Sequence, residues 1–320
     1  MDPRFCVLPQ VRCIEVRGAD AQTFLHGQLS QDVAALARDR APLAGWHDAR
    51  GRLRALVRVV RSTDSWLLVS PRDMLEVTVE KLRMFVLRSD VSLTVAADCD
   101  VAALIGADDA WLADRGLPHS LPRDGVARQD ELHWIRLGPN LLHVLGPSRA
   151  IAALAARTER GPAALAALAE IELGIPAMTP ALIGRFVPQM LNLDQLGAIS
   201  FTKGCYPGQE VIARVRNLGA VKRRMRRFAA AVASEPAPGS EVFDSDGRAV
   251  GELVRAAAAA SGIELLAVVE DAAAQGNLFI GENHTPLVEL GFGFQLWEQQ
   301  HVANRRGVGK QHYEPIDADP

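Results

Sequence analysis

Cysteine is scarce. Cys6, Cys13, Cys99 and Cys205 are the only four in 320 residues, and no two stand at C-x-x-C spacing. That pattern argues against a disulfide framework, a structural zinc site or a Cys₄ cluster site, so no metal is expected. Aromatic residues make up 5% of the chain, with two tyrosines, which is too few for a platform of stacked nucleobases. Neither sign of charge dominates: 35 Lys and Arg face 38 Asp and Glu, a net charge of −3. This excludes a basic nucleic-acid coat and a highly acidic unfolded chain. Long apolar runs are also missing. The most apolar window, 250–269, is interrupted by Glu252, Arg255 and Glu264, so no membrane span is expected. The first residues, MDPRFCVLPQVRCIEV, lack the basic start and apolar run of a secretory signal. A reducing, cytoplasmic setting follows as the expectation.

What is present suits a globular protein of about two domains, at roughly 150 residues each. Hydrophobic residues reach 48%, enough for a large core. Residues 5–16 read as a strand. Asp20 is placed to cap a helix over 21–33, and RLRALVRVV and SWLLVS read as strands. Met74, Leu75, Val79, Leu82 and Phe85 recur at helical spacing over 71–87, and VSLTVAAD reads as a strand. Residues 101–150 look like a weaker repeat of this pattern, with a helix at 101–116 and strands near 132–137 and 141–145. Helices follow at 148–157 and 162–173. The mixture lacks a regular βαβ cadence, which points to an α+β fold. ASEPAPGSE, near 230–240, reads as a connection. Short strand-like pieces with a turn at Ser245-Asp246-Gly247 then suggest a small β-barrel, and 298–320 reads as a polar tail.

The most informative stretch is Lys203-Gly204-Cys205-Tyr206-Pro207-Gly208-Gln209-Glu210. Pro207-Gly208 suits the centre of a type II turn. QEVIARVR then reads as a helix, with Glu210 against the positive end of its dipole and Arg214 one turn on, within pairing distance. Such a loop would hold Cys205 beside a cation and near a helix N-terminus, both of which favour a reactive thiolate. The same residues equally describe a small cysteine in a tight turn.

Read as K-G-C-[FY]-x-G-Q-E-x-x-x-R, this segment resembles the signature of the YgfZ family, folate-binding relatives of the glycine-cleavage T-protein. Phe24-Leu25-His26-Gly27-Gln28-Leu29-Ser30-Gln31-Asp32-Val33 is similar to the family's F-L-x-G-Q-L-[ST]-x-D-V. Gly51-Arg52, residues 82–91, Glu172-x-Gly174-Ile175-Pro176 and Pro188-Gln189-x-Leu191-Asn192-Leu193-Asp194 agree as well. The resemblance covers about residues 5–270. It implies a T-protein-like, multi-lobed fold with a central hole. Two related lobes would fill 1–225, and a C-terminal β-barrel domain would fill 226–297. The hole would bind tetrahydrofolate or a derivative, with Glu172 meeting the pterin. A carboxylate can accept parallel hydrogen bonds from the 2-amino group and ring N–H. Lys203, Tyr206, Gln209, Glu210 and Arg214 are carried over as binding residues and Cys205 as the functional thiol. The implied role is support of iron–sulfur cluster assembly or repair in client enzymes, including tRNA-modifying ones. The partners would be those enzymes or assembly proteins.

The chain also departs from its relatives. T-proteins that transfer aminomethyl groups carry an acidic pair after the early glycine, where this chain has Arg52-Leu53-Arg54-Ala55. The general acid or base for C–N cleavage is missing there, which argues against glycine cleavage. Glu170 stands where the family commonly has arginine, and His47-Asp48-Ala49-Arg50 replaces Cys-Asp-Pro-Lys. Two functions stay open: a folate-binding accessory protein, favoured by the missing acid, and a one-carbon transferase or demethylase using the same pocket. The run Lys222 to Arg227 could meet tRNA, a folate polyglutamate tail or an acidic partner, or simply be an exposed strand. The acidic whole-chain charge argues against direct nucleic-acid binding. His26 and His47 have no ligand-spaced partner, and packing or surface roles are expected for them.

Overall fold

The structure is a computed structural model and describes residues 2–217, 221–281 and 283–293. The expected tail at 298–320 lies outside these. The first half runs β1 (Arg4–Val7), β2 (Val11–Arg17), α1 (Ala21–Gln28), β3 (Leu43–His47), β4 (Leu53–Arg61), β5 (Trp66–Pro71), α2 (Arg72–Arg83) and β6 (Ser92–Val95). It continues through β7 (Asp100–Ile105), α3 (Asp109–Asp114), β8 (Val126–Gln129), β9 (Leu132–Gly138), β10 (Leu141–Gly146), α4 (Ser148–Ala155) and α5 (Ala163–Glu172). After α6 (Gln209–Asn217) come β11 (Arg223–Ala230), β12 (Glu241–Phe243), β13 (Ala249–Ala259), β14 (Gly262–Glu270), β15 (Leu278–Ile280) and β16 (Thr285–Leu290).

Two five-stranded antiparallel sheets share one topology. The first is ordered β3-β4-β5-β2-β6, and the second, read in the same sense, β8-β9-β10-β7-β1. α1 and α3 occupy equivalent connections, as do α2 and α4. The last place in the second sheet is filled from the N-terminus. β1 pairs with β7, the Phe5 amide donates to Glu159 O, and Gly161 N–H donates to Phe5 O. Residues 5–16 are therefore two strands in two sheets rather than the single strand expected. The expected helix at 101–116 is β7 followed by the short α3. Val101 to Leu104 are all buried between β1 and β10, and an apolar run covered on both faces suits a central strand.

The remaining six strands close a barrel, in the order β11-β14-β13-β12-β15-β16. Its interior is a separate apolar cluster around Phe228, Val242, Leu253 and Leu265. Val254, Ala257, Leu266 and Val268 face outward into the main core shared with the lobes. The 225/226 boundary falls inside β11, because the basic run is itself the first barrel strand. The Pro- and Gly-rich 231–240 segment connects β11 to β12 within the barrel. The turn at 244–248 closes the β12–β13 hairpin, with Asp244 N–H donating to Arg248 O, as its sequence suggested.

Candidate functional site

The signature segment is built by contacts between two glycine turns. Gln209 N–H donates to Tyr206 O at 3.2 Å, and Gly208 has φ +77°, so Pro207-Gly208 form the expected type II turn. A Cβ on Gly208 would lie 2.5 Å from Asp48 O and 2.6 Å from Gly51 Cα. Gly51, with φ +72°, packs in return against Val211 and Ile212. The loop before α6 and the β3–β4 turn thus meet backbone to backbone, which only glycine permits. Asp48 shapes that turn: its carboxylate accepts from the amides of Arg50 at 2.9 Å and Arg52 at 3.0 Å.

Lys203 is buried and turned inward. Its ammonium donates to His26 O and, at 2.6 Å, to Leu29 O, the carbonyls left open at the end of α1. Burial lowers its pKa to about 8, opposed by the charge of Asp32. α1 stops at Gln28 instead of running to Val33. There the chain turns so that buried Ser30 donates to Ala198 O and accepts from Gly45 N–H. Lys203 thus secures the cysteine loop to α1, and its positive charge is engaged with backbone carbonyls. Tyr206 is also buried, 4.8 Å from the Lys203 ammonium, and burial pushes its pKa up to about 12. Its ring tilts against His47, whose imidazole burial holds neutral, with a pKa near 3. Gln209 donates to Lys203 O at 3.4 Å. Glu210 and Arg214 pair at 2.9 Å on the exposed face of α6, as their spacing suggested, where such a pair contributes little. Of the four cysteines, Cys205 alone is exposed, as a free thiol.

The Pro188–Asp194 motif fastens the barrel to this region. Gln189 donates to Ile212 O at 2.7 Å, and Asn192 donates to Met225 O at 2.8 Å. Arg224 makes a two-pronged contact with Asp194, both bonds 3.1 Å. Arg226 pairs with Asp271 and Glu289, and Arg227 with Glu264. The arginines at 224, 226 and 227 are therefore occupied within the protein, in keeping with a strand surface.

Elsewhere, a cavity of about 750 Å³ opens where both lobes and the barrel meet. Leu43, Leu56, Val69 and Met178 give it apolar walls, and Ser70, Glu170, His143 and Arg255 supply polar ones. Glu170 Oε2 accepts from Arg255 at 2.8 Å. Its Oε1 lies 2.8 Å from His143 Nε2, off the line a hydrogen bond prefers. Burial alone would raise the Glu170 pKa, but the charge of Arg255 and the contact with His143 outweigh it and bring the value to about 2. The buried hydroxyls Ser70 Oγ and Thr179 Oγ1, both on this wall, have no hydrogen-bond partner in the protein.

The Glu170 shift carries a pH dependence. A carboxyl whose pKa falls on folding stabilises the native state above its unfolded value, and the benefit is lost as pH falls through the folded value. For Glu170 the window runs from 4.5 down to about 2. Glu170→Gln is expected to flatten the acid limb of a stability–pH curve there. An unchanged acid limb in urea titrations would count against the ion pair.

None of the residues carried over as binding groups lines this cavity. Lys203, Cys205, Tyr206, Gln209, Glu210 and Arg214 form the separate loop and helix just described. Glu172 is exposed, and the reason is helical geometry. Ala166, Ala167 and Glu170 put one face of α5 toward the cavity, while a residue two positions beyond Glu170 is rotated by about 200°. Glu170, read only as a departure from the family pattern, is the carboxylate that faces inward. Its partners His143 and Arg255 carried no local sequence signal.

No family model matches the chain. Among known proteins it is 31% identical over 246 residues to an uncharacterized protein of Haemophilus influenzae, covering 75% of this chain and 78% of that one. It is 31% identical over 241 residues to the tRNA-modifying protein YgfZ of Escherichia coli, covering 71% and 72%. The Edwardsiella ictaluri protein of the same name is 30% identical over 220 residues, covering 66% of each chain. Among solved structures, the glycine cleavage system aminomethyltransferase T of Bartonella henselae superposes with a TM-score of 0.68 at 18% identity, covering 90% of this chain and 85% of that one. That likeness establishes the α+β, T-protein-like fold. No described helix is long and apolar enough to cross a membrane. With the glycine-paired cysteine loop and the level of identity to its relatives, the chain belongs to the YgfZ family.

Proposed function

We propose that this protein binds tetrahydrofolate or a derivative in the cavity between the lobes and the barrel, and acts as an accessory to iron–sulfur cluster assembly or repair in client enzymes. The observation that carries the reading is the cavity wall. A volume of about 750 Å³ lies in the range of sites for molecules of folate size. Its apolar walls suit a flat ring, and the unpartnered hydroxyls of Ser70 and Thr179 offer polar groups whose burial calls for a partner. Glu170, kept ionised, can accept N–H groups from a pterin edge. It takes the place in this reading that the family resemblance gave to Glu172.

The accessory reading is preferred to one-carbon transfer because Asp48, the acid nearest Gly51, is engaged by the amides of Arg50 and Arg52 and does not line the cavity. Cys205 would act on the client side, as an exposed thiol whose thiolate attacks a client disulfide, forming a mixed disulfide and releasing one client thiolate, or that supplies one ligand to an intermolecular cluster. A reducing cytoplasm suits such a thiol. Client enzymes, among them tRNA-modifying ones, are the proposed partners.

The test is equilibrium titration of the purified protein with tetrahydrofolate, alongside a turnover assay with methylene- and methyl-folates. Saturable binding without turnover is expected. Measurable turnover would favour the transferase, and absence of binding would remove the folate reading. In a cell lacking this protein, Cys205→Ala is expected to leave client-enzyme activity unrestored, and full restoration would remove the role given to the thiol.

A further inference from the structure

We infer that Arg255, a barrel residue, is a positioning residue of the cavity: it fixes the Glu170 carboxylate and the wall beginning at Ile175 so that the site can hold a ligand edge bearing two N–H donors. This rests on the folate reading above and extends it by making the barrel part of the binding site.

The geometry begins with an irregularity in β13. Register with β14 shifts between Leu253, opposite Ala267, and Arg255, opposite Leu266. Val254 is the extra residue, and Leu253 and Val254 are both fully buried, one facing the barrel interior and the other the shared core. A bulge of this kind re-aims the side chain that follows it. Here that side chain is Arg255, directed from the barrel wall onto α5 and the cavity.

Arg255 Nη1 donates to Glu170 Oε2 at 2.8 Å and to Ile175 O at 3.2 Å. One guanidinium thus holds both the carboxylate and the first residue of the segment that runs through Pro176 and Met178 along the cavity. A carboxylate has about four lone-pair sites. Arg255 takes one and His143 approaches another, leaving acceptor capacity for a ligand. The 2-amino and ring N–H groups of a pterin, or any cyclic guanidine-like edge, present two donors side by side. For that pairing the carboxylate must be ionised and held in one orientation. The groups facing it are His143 from β10 and Arg255 from β13. The other charged residues on the cavity wall are Arg58, Arg72, Asp73 and Glu76. Arg255 is the cation that bonds Glu170 directly, so its removal frees the carboxylate to take up a proton and to rotate.

The experiment compares wild type with Arg255→Met and Arg255→Lys, each checked for folding by thermal melting, in tetrahydrofolate titrations between pH 5 and 8. Wild type is expected to bind with little pH dependence. Arg255→Met is expected to bind at least about tenfold more weakly at neutral pH, as for loss of a partly buried charge-assisted bond, and to lose further affinity as pH falls. Arg255→Lys is expected to recover much of the affinity and the flat profile, since an ammonium can replace one of the two bonds. A folded Arg255→Met protein with wild-type affinity and profile would overturn the inference. Carbon-13 NMR titration of the Glu170 carboxyl supplies a readout that needs no ligand. Its midpoint is expected to rise in Arg255→Met, and an unmoved midpoint would overturn the inference. If wild type fails to bind tetrahydrofolate at all, the folate reading falls, while the NMR result alone decides whether Arg255 positions Glu170.

Discussion

Gly208→Ala is expected to destabilise the protein by about 2–4 kcal/mol, combining the left-handed backbone penalty with forced overpacking. Both terms come from observed geometry. Gly208 has φ +77°, and a Cβ there would stand 2.5 Å from Asp48 O and 2.6 Å from Gly51 Cα. Those neighbours are backbone, so no side chain can swing aside to relieve the contact. The consequence extends to Cys205, because the same turn sets the loop between Lys203 and α6. Urea denaturation checks the stability loss, and the rate of thiol modification at Cys205 checks the loop. Gly247→Ala is the control: φ there is +75°, but nothing lies within 4 Å of the added carbon. It is expected to cost only the backbone term, about 1–2 kcal/mol. Equal losses at the two positions would show that the close approach of Gly208 to Gly51 contributes nothing.

Arg58→Ala is expected to cost about 3–5 kcal/mol, the range for removing one partner of a buried ion pair. Arg58 stands on β4 in the first lobe, and its side chain is 5% exposed. It donates to Ala41 O and to the carboxylate of Asp124, which belongs to the second lobe. Around it, Ala41 N–H donates to Asp124 O and Val126 N–H to Asp39 O, so the pair sits on the seam between the lobes. Loss of the guanidinium leaves the buried Asp124 carboxylate with only the more distant Arg123, at 4.0 Å. Asp124→Asn keeps an acceptor in place and a residue that tolerates the local φ of +56°, and is expected to cost less. Chemical denaturation of both variants checks the order. Arg58 also lines the cavity, so its removal is expected to weaken any ligand held there.

Much of the cysteine loop was legible in the chain itself, because its logic is local. Pro-Gly favours a type II turn through its own backbone preferences, and Glu210 and Arg214 meet because they are one helical turn apart. The hairpin turn at 244–248 and α5 were visible for the same reason. Local pattern failed where burial decides. Val101 to Ile105 read as the start of a helix, and only the flanking β1 and β10 make them a covered strand. Residues 5–16 look like one strand until the second sheet claims the first part of them.

The family, the α+β class, the terminal barrel and the one cysteine held in a glycine-bracketed turn are all written in the chain. Each of these depends on residues close together along the chain. Tertiary structure alone decided which carboxylate of α5 faces the cavity. The family motif points to Glu172 and marks Glu170 two positions earlier as a departure, but the pitch of α5 turns Glu170 inward and Glu172 to solvent. It also decided that Arg255 would reach Glu170 across 85 residues, because a bulge in a barrel strand redirected one side chain. Lys203, which as sequence reads as a cation beside a thiol, became the cap of α1 once the fold brought open helical carbonyls within its reach.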